Sequence, residues 1–247
     1  MNSLQLVKYD MYSIFKSPLT YLALLLTILP LIGFTILFVQ QSDEMNGNTL
    51  LSIGSWFFSI MGLLFVIKTI TRDISQGTIQ LYMNKTSSRI GYVIAKVISI
   101  ILIAILITAV LVGFVLIVQG VVDGKNITTS KAFELLWFFL MFHLFFGLLL
   151  YLFSLIVPKT ALIFTLGIFL VLIVPFAEPF LPMIPKIGDN IQDSLKYIPF
   201  SYLTSKTTSG DYTFTNWQWF ITSASIVILF IVNIFYVSKK DIQNNNR

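Results

Sequence analysis

The residues able to do chemistry in this chain are few, and most of them fall in one place. Residues 72–96 read RDISQGTIQLYMNKTSSRIGYVIAK and set Arg72, Lys85, Arg89 and Lys96 against a single acid, Asp73. The chemistry this pattern suits is recognition rather than catalysis. Ile74, Ile79, Leu81, Tyr82 and Met83 supply an apolar side, and Arg72, Asp73, Gln76 and Gln80 supply charge and polarity. A short amphipathic helix of this kind grips a partner by its apolar contacts and takes its register from its charges. The competing reading is a basic loop that only sets membrane topology. His143 lies alone in the middle of an apolar run. It could relay a proton or touch a substrate, or it could bond the backbone of a neighbouring helix, the role also read for Asn233.

Other chemistries are missing. The nearest approach to a phosphate-binding loop, Gly120-Val121-Val122-Asp123-Gly124-Lys125-Asn126, has three residues between its glycines where four are needed, and Asn where Ser or Thr is needed. One histidine and no cysteine argue against a metal centre and exclude disulfides and thiol nucleophiles. There is no H-E-x-x-H and no G-x-S-x-G. Asn126-Ile127-Thr128 is a glycosylation triplet of the kind that arises by chance. Mid-span carboxylates, expected of a proton-coupled transporter, are absent, since Glu134 and Glu178 sit at span ends. The sequence therefore implies no enzyme activity, and no metal or cofactor held by this chain.

The elements that must position these residues are membrane spans. Hydrophobic residues make up 56% of the 247 and charged residues 11%, with a mean hydropathy of +0.86. Soluble domains carry about a quarter charged residues. Runs long enough to cross a bilayer recur six times, at about 19–39, 50–67, 92–118, 132–157, 160–177 and 217–237. The reading is an all-α polytopic membrane protein, a single transmembrane domain over 1–247. Met1–Lys16 is polar and mixed, with no cleavage site after Leu19–Val39, so no signal peptide is expected. Alternating the spans puts eleven basic and three acidic residues on one side, against five basic and eight acidic on the other. The positive-inside rule then places both termini in the cytoplasm. The net charge of +5 serves topology and anionic lipid, not nucleic acid.

Three segments fall outside simple spans. In Asn2–Lys16, Leu4, Val7, Met11, Ile14 and Phe15 recur at helical spacing, with Lys8, Asp10, Ser13 and Lys16 largely elsewhere on the wheel. Ser17-Pro18 follows, so an interfacial helix on the inner leaflet is expected. The second loop is expected to leave span two as a helix, turn near Asn84–Ser88 and re-enter at Ile90. Between Glu178 and Asn216, prolines interrupt a segment too apolar for a solvated linker, which predicts short outer re-entrant helices. Small residues, Ser55, Ser59 and Gly62 on span two and Ala104, Thr108, Ala109 and Gly113 on span three, predict close helix contacts. Aromatics crowd spans two, four and five. Phe57, Phe58, Phe164 and Phe169, with His143, are candidates to line a path for an amphipathic substrate.

Together these features resemble the permease subunits of type-2 ATP-binding-cassette exporters. The resemblance runs over essentially the whole chain. Its most specific part is the second loop, where an acid is followed by Gly-Thr, a Ser-Arg pair and a Lys at the start of span three. Those positions are Asp73, Gly77-Thr78, Ser88-Arg89 and Lys96. Relatives often have Pro before the Ser-Arg pair, where this chain has Thr86-Ser87. The stretch Pro199-Phe200-Ser201-Tyr202 is similar to the family's entry to span six. In size and composition the chain is also similar to the permeases of the phenol-soluble modulin exporter. The resemblance implies a coupling helix between spans two and three, with Arg72, Asp73, Gly77, Thr78, Ser88 and Arg89 at an ATPase. It implies a cytoplasmic ATPase subunit that binds ATP and Mg, a second permease (this chain or a homologue), a bacterial cell membrane, and export of an amphipathic substrate.

Overall fold

The computed structural model describes residues 3–41, 45–78, 86–122, 124–184 and 188–239. Ser3–Phe15 form α1. Pro18, whose fixed φ suits the first helical turn, opens α2 (Pro18–Gln41). Asn46 caps α3 (Gly47–Ser75), its side chain accepting from the Asn48 amide at 3.0 Å. Next come α4 (Thr86–Gln119), α5 (Thr129–Ile156, capped by Thr128) and α6 (Thr160–Ala177). A 3-10 turn over Glu178–Met183 leads to α7 (Gly188–Leu195), α8 (Pro199–Ser209) and α9 (Asn216–Lys239). The protein is an all-α, multi-pass membrane protein. Among the described residues six helices, α2 to α6 and α9, are long and apolar enough to cross a bilayer. Besides the helices, Met45–Asn46 and Gly124–Lys125 pair in parallel (β1 and β2), tying the first loop to the third.

The fifth span falls where the periodicity predicts it, at 160–177. The second and third run longer than expected, because the helix continues past the hydrocarbon-soluble residues to Ser75 and resumes at Thr86. Of the turn expected near Asn84–Ser88, residues 86–88 belong to α4 and the rest lie outside the described residues. The end of α3 has a physical cause. Gly77 takes φ +66°, the Thr78 amide donates to the Asp73 carbonyl at 3.0 Å, and the Gly77 amide donates to Ile74 at 3.1 Å. That is a Schellman stop, which favours glycine at the left-handed position. The expected amphipathic docking helix, with Ile79, Leu81, Tyr82, Met83 and Lys85, lies outside the described residues.

The core is built on α3 and α5. Their most apolar windows are 67% and 61% buried, against 17%, 18% and 17% for α2, α6 and α9. α3 packs on α2, α4, α5, α6 and α8, and α5 packs on α3, α4, α6 and α9. Ala104 and Thr108 of α4 are buried in this packing, while Ala109 faces outward and Gly113 has open space beside it. The segment before the last span folds inward, with Ser201, Tyr202, Leu203, Thr204 and Thr207 of α8 buried. Ser55 of α3 donates to the Thr207 carbonyl at 3.0 Å, and Tyr212 donates to the Leu51 carbonyl at 3.1 Å. Burial pushes the Tyr212 phenol up to about 12, so it remains the donor at ordinary pH.

α8 ends at Gly210, φ +69°, where a Cβ would stand 2.0 Å from the Ser52 hydroxyl. Gly210→Ala is expected to lower stability by about 1–2 kcal/mol from the left-handed backbone alone, read as the melting temperature of the purified protein. Unchanged melting would mean that α8 is not held on α3 by this turn. Beyond Gly210, burial opposes ionisation of Asp211, but hydrogen bonds from Thr213 and the Lys206 charge hold its carboxyl below the usual range. A depressed carboxyl stabilises the fold above its unfolded pKa, and that stabilisation is lost as pH falls through the folded value. Acidification therefore loosens this loop.

Candidate functional site

The most unusual arrangement in the fold lies at the end of the bundle that carries α1. α1 turns Leu6, Val7, Asp10 and Ile14 into the protein and leaves Leu4, Gln5, Lys8, Tyr9, Tyr12, Phe15 and Lys16 outside. The sequence wheel grouped Asp10 with the polar positions, away from the apolar face, and the structure corrects this. The apolar face packs on α4 and α3, and Asp10, one turn from Leu6, Val7 and Ile14, is carried in with it.

There Asp10 meets three other ionised side chains. Arg72 and Asp73 come from the last turn of α3, and Lys96 from α4. The Arg72 Nη2 stands 2.9 Å from Asp10 Oδ1 and 2.7 Å from Asp73 Oδ1. The Lys96 ammonium reaches Asp10 Oδ1 at 3.0 Å, Asp73 Oδ2 at 2.8 Å and the Thr69 carbonyl at 2.8 Å. Ser99 donates to Asp10 Oδ2 at 2.8 Å, and the Tyr92 hydroxyl donates to Asp73 Oδ2 at 2.6 Å. The Arg72 Nη1 donates to the Tyr9 carbonyl at 3.2 Å while its guanidinium lies over the Tyr9 ring. Two acids and two bases make a neutral set. Side-chain exposures of 0%, 1%, 8% and 1% for Asp10, Asp73, Arg72 and Lys96 put it out of water.

Such a cluster is held together by its completeness. Burying one ion costs several kcal/mol, repaid only where opposite charges and further donors complete its coordination. Lys96 spends all three ammonium donors on Asp10, Asp73 and Thr69. Asp10 accepts from three groups contributed by two helices other than its own. What this arrangement can do is mechanical: it pins α1 to the ends of α3 and α4. It offers no open coordination position and no nucleophile, and among the described residues no His, Cys, Asp or Glu group could hold a metal ion.

Other expected site residues fall elsewhere. Arg72 and Asp73, read as contacts for an ATPase, turn inward, because α3 carries them past the membrane run and onto Lys96 and Asp10. Gly77 and Thr78 form the stop of α3. Ser88 lies in the first turn of α4, and its side chain is outside the described residues. The Arg89 Nη1 donates to the Val237 and Ser238 carbonyls, each at 3.2 Å, closing the last turn of α9 where unsatisfied carbonyls favour a cation. The residues flanking 76–85 are thus tied on one side to α1 and α4, and on the other to α9.

Of the candidate path residues, Phe58 and His143 are fully buried, Phe57 and Phe164 half-buried, and Phe169 is 56% exposed. Phe58 and His143 thus belong to the packed core. The His143 Nδ1 bonds the Phe139 carbonyl of its own helix at 2.7 Å, not a neighbouring helix, and its ring stands edge-on to Phe139 and Phe142. Its Nε2 faces Gly62 and has no partner among the described residues. Asn233 does bond a neighbouring helix, donating to the Leu148 carbonyl of α5 at 3.0 Å.

The ionic cluster itself escaped the sequence reading. Asp10 and Lys96 are 86 residues apart, and only Lys96 carried a signal, a lysine followed by more than twenty residues without a charge. An ion at such a position calls for a buried partner. Asp10, single among apolar neighbours at helical spacing, is the natural one.

A family model described as "Protein of unknown function (DUF2705)" matches residues 24–243, nearly the whole chain. No curated protein matches it.

Proposed function

The chain belongs to the DUF2705 family, and from that premise we propose that it is the membrane-spanning permease subunit of an ATP-driven exporter. The observation that carries this reading is the anchoring of the chain on both sides of residues 76–85, between α3 and α4. Arg72 and Asp73 join the first side to α1 and α4, and Arg89 joins the second to α9. A partner pressing on this segment would move three elements at once, which is what a coupling element must do. Further support comes from the six spans, the helix before them and the inward-folded α8 ahead of the last one, the layout that carried the resemblance to exporter permeases.

In this reading both termini face the cytoplasm of a bacterium, and ATP with Mg is bound by a separate ATPase subunit. A second permease completes the path. α3 shows a half-buried stripe of Ile53, Phe57, Ile60 and Leu64 at i, i+4, i+7 and i+11. That stripe, with Phe169 on α6, offers an apolar wall to an amphipathic substrate, cytolytic or antimicrobial peptides being the first class to test. Drugs, lipids and polymer-linked lipids are the alternative cargo. A proton-coupled secondary transporter would be expected to carry a mid-span carboxylate.

Affinity purification of the chain from its host, with the co-purifying proteins identified by mass spectrometry, tests the reading. Stoichiometric recovery of a P-loop ATPase is expected, with the ATPase lost for Arg89→Glu. The melting temperature of that variant separates lost docking from a loosened α9, since Arg89 also caps that helix. Recovery of the chain without any ATPase, under conditions that preserve such complexes, would overturn the proposal.

A further inference from the structure

The outward face of α1 has a composition that its inward face explains. The helix and the residue that follows it carry two lysines, Lys8 and Lys16, and one acid, Asp10. Because Asp10 is consumed inside the ionic cluster, the exposed surface of α1 keeps a charge of +2 with no acid to offset it. Around those lysines stand Leu4, Tyr9, Tyr12 and Phe15, each more than half exposed. Gln5, Lys8, Tyr9 and Tyr12 line a shallow hollow of about 280 Å³, and the Lys16 ammonium lies 5.5 Å from the Tyr12 ring centre. α1 ends at Phe15, and α2 enters the membrane from Pro18. This surface therefore stands at the level where lipid headgroups meet water, the level that amphipathic tyrosines favour.

We propose that this face of α1 is a binding site for an anionic phospholipid headgroup. The phosphate meets the Lys8 and Lys16 ammonium groups, and the acyl chains run over the apolar hollow and along Leu4 and Phe15. Charge complementarity selects the occupant. A zwitterionic headgroup brings its own ammonium against the lysines, whereas an anionic one neutralises them. The site is joined to the cluster through Tyr9, whose carbonyl and ring both hold Arg72. A bound lipid thereby also steadies the helix that supplies Asp10. The inference does not depend on the exporter reading.

The test uses the full chain purified in a neutral detergent. Native mass spectrometry reads retention of phosphatidylglycerol against phosphatidylcholine, and thermal unfolding reads the stabilisation each lipid gives. Wild type is expected to retain phosphatidylglycerol preferentially and to melt higher with it. Lys8→Gln/Lys16→Gln should weaken retention by roughly fivefold for each lysine removed and abolish the melting shift. Lys159→Gln/Lys239→Gln, which removes two exposed lysines from the same end of the bundle, should leave both unchanged. Equal retention of the two lipids by wild type would overturn the site, as would undiminished retention in the α1 variant or equal losses in the two variants. Displacement by millimolar glycerol phosphate would also overturn it, by making the ligand a soluble phosphate.

Discussion

Lys96→Met lowers the stability of the folded chain by about 3–5 kcal/mol, the expected cost of leaving a buried charge without its partner. The substitution preserves the length of the stem but strips one contact from Asp10 and one from Asp73, leaving Arg72 alone to neutralise two carboxylates. Asp10→Asn creates the opposite imbalance, with two cations facing the single carboxylate of Asp73. The decisive variant is the pair. Asp10→Asn/Lys96→Gln restores a neutral cluster built on Arg72 and Asp73, so it should be more stable than the two single penalties predict, by about 1–3 kcal/mol of coupling. Thermal unfolding of the four proteins in one detergent measures this cycle. Additive losses would mean that each side chain acts alone and that the cluster is not a unit. Proteolysis near Ser17 gives a second readout, because a released α1 exposes the junction before α2.

The second large effect is expected at Gly62. A Cβ there would fall 2.2 Å from the His143 Nε2, and the ring is edge-on to Phe139 and Phe142 with its Nδ1 held by the Phe139 carbonyl. The obstacle is a rigid ring in a packed layer, so Gly62→Val should cost about 3 kcal/mol, the upper part of the range for overpacking. Gly62→Val/His143→Ala opens the space and should recover part of the loss. If the double variant melts no higher than Gly62→Val, the contact between α3 and α5 at this level is not what limits stability. Full activity of His143→Ala in a transport assay would confine this histidine to packing, as its burial implies.

Much of the architecture was legible in the chain because membrane spans are written in composition. A bilayer demands about twenty apolar residues for each crossing and satisfies the backbone internally, so length and hydropathy alone placed six helices. The same one-dimensional logic found the breaks. Pro18 opens a span, and the proline-rich stretch after Ala177 ends another. The caps at Asn46 and Thr128 also have local causes, although the sequence reading did not single them out.

What the chain alone did not decide is which faces meet, since pairing across long separations leaves no periodic trace. Asp10 read as a surface residue because the helical wheel groups it with Lys8, Ser13 and Lys16 and does not show what waits opposite. Its partners, Arg72, Asp73, Lys96 and Ser99, are assembled by the packing of α1 on α3 and α4, and only then does a buried aspartate become favourable. Likewise, the bonds of Arg89 to the Val237 and Ser238 carbonyls at the end of α9 left no trace in the sequence. The amino-acid sequence determined an all-α membrane bundle in which Asp10, Arg72, Asp73 and Lys96 fall on the same side, because partitioning between water and hydrocarbon acts on each segment separately. The tertiary structure alone decided that those charges form one neutral buried joint, because Coulomb interactions in a low-dielectric interior depend on distances that only the packed helices set.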